Sequence, residues 1–348
     1  MQSLDNRSRQ PHQSNPKTMK LLPSYLITAI FAIAMLPTVK AHNPRSFRCP
    51  PYLKQGDTVA IVSPAAKVRR DNIQQAFDEI ESWGLHVKIE PHACDTTYIY
   101  FSGTDEDRAS DLQAAIDDPS VKAIIACQGG YGSVRILPML NLKALKKNPK
   151  WIVGFSDITM LHLAVHKLSI QSIHGTMPAL FDLSDESEDV SAESLRKALF
   201  GEPQQYFIEP DPMNRPGSAT GILAGGNMTI LASAAGTPEA VNSDQPAILL
   251  IEEVNESAYR LDRMMQQLLR SGALDNVTAI VAGHFTKISG EDRFDDYHNI
   301  IRYYADKLGV PLMFGFPAGH EAPNMSVYLG RSAKVEVTDD NAMLTFGD

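Results

Sequence analysis

Cysteine is scarce in this 348-residue chain, which has only Cys49, Cys94 and Cys127. No two of them form C-x-x-C, no H-E-x-x-H occurs, and the histidines are dispersed. Neither a thiol redox motif nor a zinc site is supported. Positive charge is also short: 32 Lys and Arg stand against 41 Asp and Glu, a net charge of −9. With no basic cluster interleaved with aromatics, nucleic-acid binding by bulk electrostatics is excluded. Low-complexity tracts and repeats are absent. The G-x-G-x-x-G spacing of a dinucleotide site is missing as well.

One long apolar run exists, Leu21 to Leu36, preceded by Met19-Lys20 and followed by Val39-Lys40-Ala41. A short basic start, an apolar stretch and small residues before a cleavage point read as a signal peptide within residues 1–41. Met19 is a candidate start, and cleavage after Ala41 would export the chain to a Gram-negative periplasm. A membrane anchor over residues 21–39 is the alternative, although the run is short for a bilayer span. An odd cysteine count in an exported chain leaves at least one thiol unpaired. Cys127 ends an apolar strand and reads as buried. Whether Cys49 and Cys94 pair stays open.

Residues 52–180 alternate strand and helix patterns. Strands are expected at Thr58–Val62, Leu85–Ile89, Val121–Cys127, Trp151–Phe155 and Ile170–Ile173, and helices at Asp71–Trp83, Asp105–Asp117 and Ile158–Leu168. Such alternation predicts an α/β fold with a mostly parallel sheet and helices on both faces. Ligands bind such sheets at strand carboxyl ends, where Ser63, Ser133, Ser156-Asp157 and His174 fall. Residues 183–216, an acidic run, then a short helix, then a proline-rich stretch, read as a linker. A second unit follows from Gly217, with a helix near Met228–Ala235, strand Ala247–Ile251, helix Tyr259–Ser271, strand Val277–Ala282 and a β-rich tail.

The most suggestive local pattern is the apolar run 121–126 followed by Gln128-Gly129-Gly130-Tyr131-Gly132-Ser133 and helix-compatible residues. A strand, a tight glycine turn and a helix would lift the Ser133 hydroxyl out of the sheet edge. A serine nucleophile needs a base and an orienting acid. The acids on offer are Glu252, Glu253 and Glu256, after the strand 247–251. The bases are His174, His284 and His320, the last in the loop Phe316–Asn324. Taken singly, none of these decides the matter.

Several stretches, in order, resemble the LD-carboxypeptidase family of serine peptidases. They are Gly56–Ala65, Phe101–Ala109, Gly129–Arg135, Gly154–Thr159, His174-Gly175, Gly225–Asn227, Leu250–Arg263 and Gly319-His320 with Asn324. This family comprises muramoyl-tetrapeptide carboxypeptidases, with microcin C immunity hydrolases as cousins, and the resemblance covers about residues 52–345. It implies a class I glutamine amidotransferase-like N-terminal domain (42–182) and a smaller C-terminal α/β swivelling-type domain (217–348). It implies a Ser133–His320–Glu252 triad split between them; the family commonly has Glu-Asp where this chain has Glu252-Glu253. The implied reaction is acyl transfer that releases D-alanine from a murein tetrapeptide. The oxyanion would rest on backbone N–H groups near Gly130 and Val134, and the substrate carboxylate on Arg135, Arg108 or Arg260, with His174 as a further binding candidate. No cofactor or metal is expected; the family often dimerises, and whether this chain forms a homodimer stays open. The alternatives are hydrolysis of a peptidyl-nucleotide antibiotic and a non-catalytic cell-wall peptide-binding protein.

Overall fold

A computed structural model describes residues 46–241, 244–290 and 296–347. The expected signal region lies outside these residues, so the described molecule is the body from residue 46 onward. Among the described residues no helix is long and apolar enough to cross a membrane.

The first half forms β1 (Thr58–Val62), α1 (Gln74–Ser82), β2 (His86–Ile89), α2 (Asp105–Asp117), β3 (Val121–Ala126), α3 (Ser133–Ile136), β4 (Trp151–Gly154), α4 (Thr159–Lys167), β5 (Ser172–His174) and α5 (Glu186–Phe200). Local chemistry sets these limits. Thr104 starts α2 with a capping box, its hydroxyl accepting the Asp107 N–H while the Asp107 carboxylate accepts the Thr104 N–H. Strands β1 to β5 pair in parallel. Alternate residues of each strand face opposite sides. Val59, Ile61, Ile125 and Val153 pack on α1 and α5, and Ala60, Val62, Ile124 and Ile152 pack on α2 and α4. The expected two-faced parallel sheet is therefore present.

The second half forms β6 (Gln205–Ile208), β7 (Gly217–Asn227), α6 (Met228–Ser233), β8 (Ala247–Val254), α7 (Ala258–Arg270), β9 (Val277–Thr286), α8 (Tyr297–Leu308), β10 (Leu312–Met313), β11 (Val327–Leu329), β12 (Ser332–Val337) and β13 (Ala342–Phe346). The second sheet runs β10-β9-β8-β7-β12-β13-β6. Leu249, Ile251 and Ile280 pack on α6, α7 and α8, while Ile248, Leu250 and Val281 pack on Val335 and Leu344. Strand β11 returns to the first sheet, antiparallel to β5.

Residues 183–216 differ from the expected linker. The apolar face of α5 (Ala192, Leu195, Ala198 and Leu199) joins the core of the first sheet. Strand β6 pairs with β13 in the second. The prolines flank these elements without displacing them.

Candidate active site

Strand β4 ends at Gly154, and the chain then turns through Phe155 into a short helical turn, Ser156–Ile158, that leads into α4. Ser156 has φ +60°, a conformation rare for a residue with a side chain and costly to hold. A serine on a strained strand-to-helix turn, two residues after a glycine, is the geometry that exposes a nucleophile at a sheet edge.

His320 lies in the loop between β10 and β11. Its Nε2 stands 3.0 Å from Ser156 Oγ, and its Nδ1 stands 2.7 Å from Glu252 Oε2. Glu252 is fully buried and the His320 side chain is 19% exposed. The Phe155 ring meets the His320 ring edge-on at 4.9 Å, which fixes the imidazole plane. Gly319 lets the loop come this close. Its φ is +135°, and a Cβ there would stand 3.2 Å from Glu252 Oε2. Asn324 secures the loop by accepting the Gly319 N–H at 3.0 Å.

Strand β8 continues through Glu252 and Glu253 to Val254, and its alternation separates the two carboxylates. Glu252 shares a face with Leu250 and reaches His320. Glu253 shares a face with Ile251 and turns to α6, where it accepts from Asn227 Nδ2 at 3.1 Å and from the Thr229 N–H at 2.8 Å. Burial raises the Glu253 carboxyl above its ordinary value, although these donors oppose the shift. Glu256 pairs with Arg260.

Ser133 is not where the sequence reading put it. Its hydroxyl is fully buried and faces the Asp157 carboxylate, not His320. Its N–H donates to Asp157 Oδ2 at 2.8 Å, and the Gly132 N–H donates to Asp157 Oδ1 at 3.3 Å. The turn is thus a brace whose amides are clamped by the residue after Ser156. Burial raises the Asp157 carboxyl, although the Ser133 hydroxyl and those two amides oppose the shift. Gly129 is pressed against the serine elbow: a Cβ there would stand 2.9 Å from Ser156 Cβ and 3.2 Å from Ser156 Oγ. Val134, the other expected oxyanion donor, follows the buried Ser133 in α3, whereas Gly130 adjoins the Ser156 elbow through Gly129.

The expected substrate cations are all engaged. Arg108, 1% exposed, donates to the Pro64 and Gly132 carbonyls and to Asp105. Arg135 holds the same Asp105 through Nε and Nη2. Arg260 lies with Glu256 and over the Tyr259 ring. His174 is fully buried, so it cannot touch substrate, and burial pushes its pKa down to about 3. His284 is half-buried, and its pKa is lowered by burial. Ser63 is satisfied by the Ala93 carbonyl at 2.6 Å. Cys49, Cys94 and Cys127 are free thiols, so the Cys49–Cys94 pairing is not formed.

A strained serine, an imidazole and a buried carboxylate in hydrogen-bond series are the parts of a serine hydrolase, on two α/β sheets. The chain belongs to the LD-carboxypeptidase family and is a serine-type LD-carboxypeptidase: residues 59–175 match the family's N-terminal domain and residues 220–335 its C-terminal domain. It is 36% identical to a putative carboxypeptidase of Streptomyces coelicolor over 85% of this chain and 95% of that one. It is 32% identical to a murein tetrapeptide carboxypeptidase of Pseudomonas aeruginosa over 80% and 92%. The solved muramoyltetrapeptide carboxypeptidase of Oxalobacter formigenes superposes with a TM-score of 0.76 at 28% identity, covering 84% of this chain and 99% of that one.

Proposed function

We propose that this enzyme removes the terminal D-alanine from murein tetrapeptides, cleaving the bond to the L-centre of diaminopimelate, with Ser156 as nucleophile. The observation that carries the reading is the unbroken series Glu252–His320–Ser156. The names of the relatives support the substrate class.

In this mechanism His320 Nε2 takes the Ser156 proton as Oγ attacks the carbonyl carbon. Glu252 accepts the Nδ1–H bond, fixes the tautomer and stabilises the imidazolium. The oxyanion takes hydrogen bonds from the Asp157 N–H, next after the nucleophile, and from the glycine turn at Gly130. As the tetrahedral adduct collapses, the C–N bond breaks and His320 returns the proton to the D-alanine amine. Water activated by His320 then cleaves the ester on Ser156.

The test is D-alanine release from murein tetrapeptide, followed by mass spectrometry, with Ser156→Ala and Ser133→Ala in parallel. Release by wild type and by Ser133→Ala, but not by Ser156→Ala, supports the proposal. Release by Ser156→Ala but not by Ser133→Ala would return the role to Ser133.

We also propose export to the periplasm, on the strength of the residue pattern up to Ala41. N-terminal sequencing of periplasmic protein should begin at His42. An uncleaved, membrane-bound form would favour the anchor instead.

A further inference from the structure

We propose that Tyr98, Ile99, Tyr100 and Tyr131 form a ledge that binds the sugar end of a glycan-linked murein peptide. This rests on the reading of the enzyme as a murein-peptide carboxypeptidase and extends it to a part of the substrate remote from the cleaved bond.

These four side chains are 42%, 97%, 45% and 50% exposed. Scattered exposed apolar residues need no explanation, but a contiguous apolar patch marks a binding surface. The patch is a fixed one. The Lys67 N–H donates to the Tyr100 carbonyl at 2.8 Å, Lys67 Nζ to the Tyr98 carbonyl at 2.6 Å, and the Ala66 N–H to the Gly129 carbonyl at 3.2 Å. Three loops are thereby joined along one edge of the first sheet. Phe101 lies between the tyrosine rings, 5.1 Å from Tyr100 and 6.2 Å from Tyr131, and is backed by the Arg108 guanidinium at 4.6 Å.

The ledge begins at the nucleophile. Gly129 touches Ser156, and the Tyr100 hydroxyl lies 2.7 Å from where a Cβ on Gly130 would stand. Tyr131 is two residues beyond Gly129, so their Cα atoms are at most about 7.6 Å apart. The three residues on the acyl side of the cleaved bond span about 10 Å when extended, enough to carry the sugar over these rings. The leaving amine must face His320, which belongs to the second half of the chain, so the acyl part passes over the first-half loops. Apart from one small alanine methyl, the side chains of the peptide's acyl part are polar or charged and offer little to this ledge. A pyranose ring presents a face of C–H groups that stacks on tyrosine, with hydroxyl and N-acetyl groups left for solvent.

The test compares free tetrapeptide with the disaccharide-linked tetrapeptide in wild type and in a Tyr98→Ala/Ile99→Ala double variant, neither residue being part of the triad. The expected result is about a tenfold loss in kcat/KM on the glycan-linked substrate, carried by KM, with free-tetrapeptide turnover unchanged and Tyr98→Phe close to wild type. Equal losses on both substrates, or no loss on either, overturn the proposal. Tyrosine fluorescence titrated with the peptide-free disaccharide, and separately with AMP, reads the ledge without catalysis. Saturable disaccharide binding that is lost in the double variant supports the sugar ledge. Binding of AMP but not of disaccharide would overturn it in favour of a nucleobase platform. If wild type hydrolyses neither peptide, the functional reading fails, and the disaccharide titration still decides the ledge.

Discussion

His320 Nε2 and Ser156 Oγ meet at 3.0 Å although 164 residues separate them in the chain. Ser156 hangs from the edge of the first sheet and His320 from a loop beside the second. The contact therefore exists only because the two sheets are packed together. The junction is braced nearby: the Thr159 hydroxyl, at the start of α4, accepts the Asn227 N–H from the end of β7 at 3.1 Å.

Replacing Ser156 by Ala should lower kcat by about 10⁴-fold or more, since removing one member of such a relay disables the whole. Ser133→Ala removes a buried hydroxyl that lies beside Asp157 and away from His320. It should leave kcat within a fewfold of wild type and shift stability by no more than about 1 kcal/mol. Steady-state kinetics and urea unfolding on the two variants check both statements.

Glu252 and Glu253 should separate cleanly into catalysis and stability. Glu252→Gln keeps the shape but cannot hold the imidazolium, so kcat should fall by about 10³–10⁴-fold with little change in unfolding midpoint. Glu253→Gln weakens the hydrogen bonds to Asn227 and Thr229 at the start of α6. It should cost about 1–3 kcal/mol of stability with kcat near wild type. The reverse pattern would mean that the alternation of β8 has been misread.

Mild acid should loosen the fold. Burial lowers the pKa of His162 to about 4 and that of His174 to about 3, from an ordinary 6.5. Below pH 6.5 the unfolded chain takes up protons that the native state refuses. Stability is then full above that pH and falls by up to about 1.4 kcal/mol per pH unit for each histidine. His92 works in the opposite sense, because its hydrogen bond to Asp111 raises its pKa. Urea midpoints from pH 8 to pH 5 should decline, and the slope should be shallower in His174→Asn. A flat profile would contradict the assignment.

Much of this architecture is legible in the residues. Short apolar runs alternating with helical patterns locate β1 to β5, and those of β1, β3, β4 and β5 are buried on both faces of the sheet. Glu252 and His320 follow from the family resemblance. The proposed nucleophile, Ser156, was missed because a glycine-rich turn before Ser133 looks like a stronger signal than a single glycine before Ser156. The usable signal was the spacing: Gly154-Phe155-Ser156 directly after an apolar strand. What the residues could not show is the positive φ of Ser156 and the clamp of Asp157 on the glycine turn. Both depend on which strand ends become neighbours. A short helix was expected after the acidic run, whose charges obscured that α5 begins within it, at Glu186. Yet those acids favour a helix N-terminus, and Asp185 caps it by accepting the Ser187 N–H.

Gly129 offers a steric test of which serine reacts. A methyl group on its Cα would stand 2.9 Å from Ser156 Cβ, 3.2 Å from its Oγ and 3.4 Å from the Asp157 nitrogen. Gly129→Ala must therefore push the elbow or the turn aside, at a cost of about 1–3 kcal/mol. Displacing an attacking atom by a fraction of an ångström to 1 Å costs up to about 10²-fold in rate. The expected outcome is a folded protein with kcat reduced by about that factor and with Ser156 slow to react with a serine-directed phosphonate. Ser133 lies four residues along the same turn and outside this contact. Unaltered turnover in a folded Gly129→Ala variant would count against Ser156 as the attacking group.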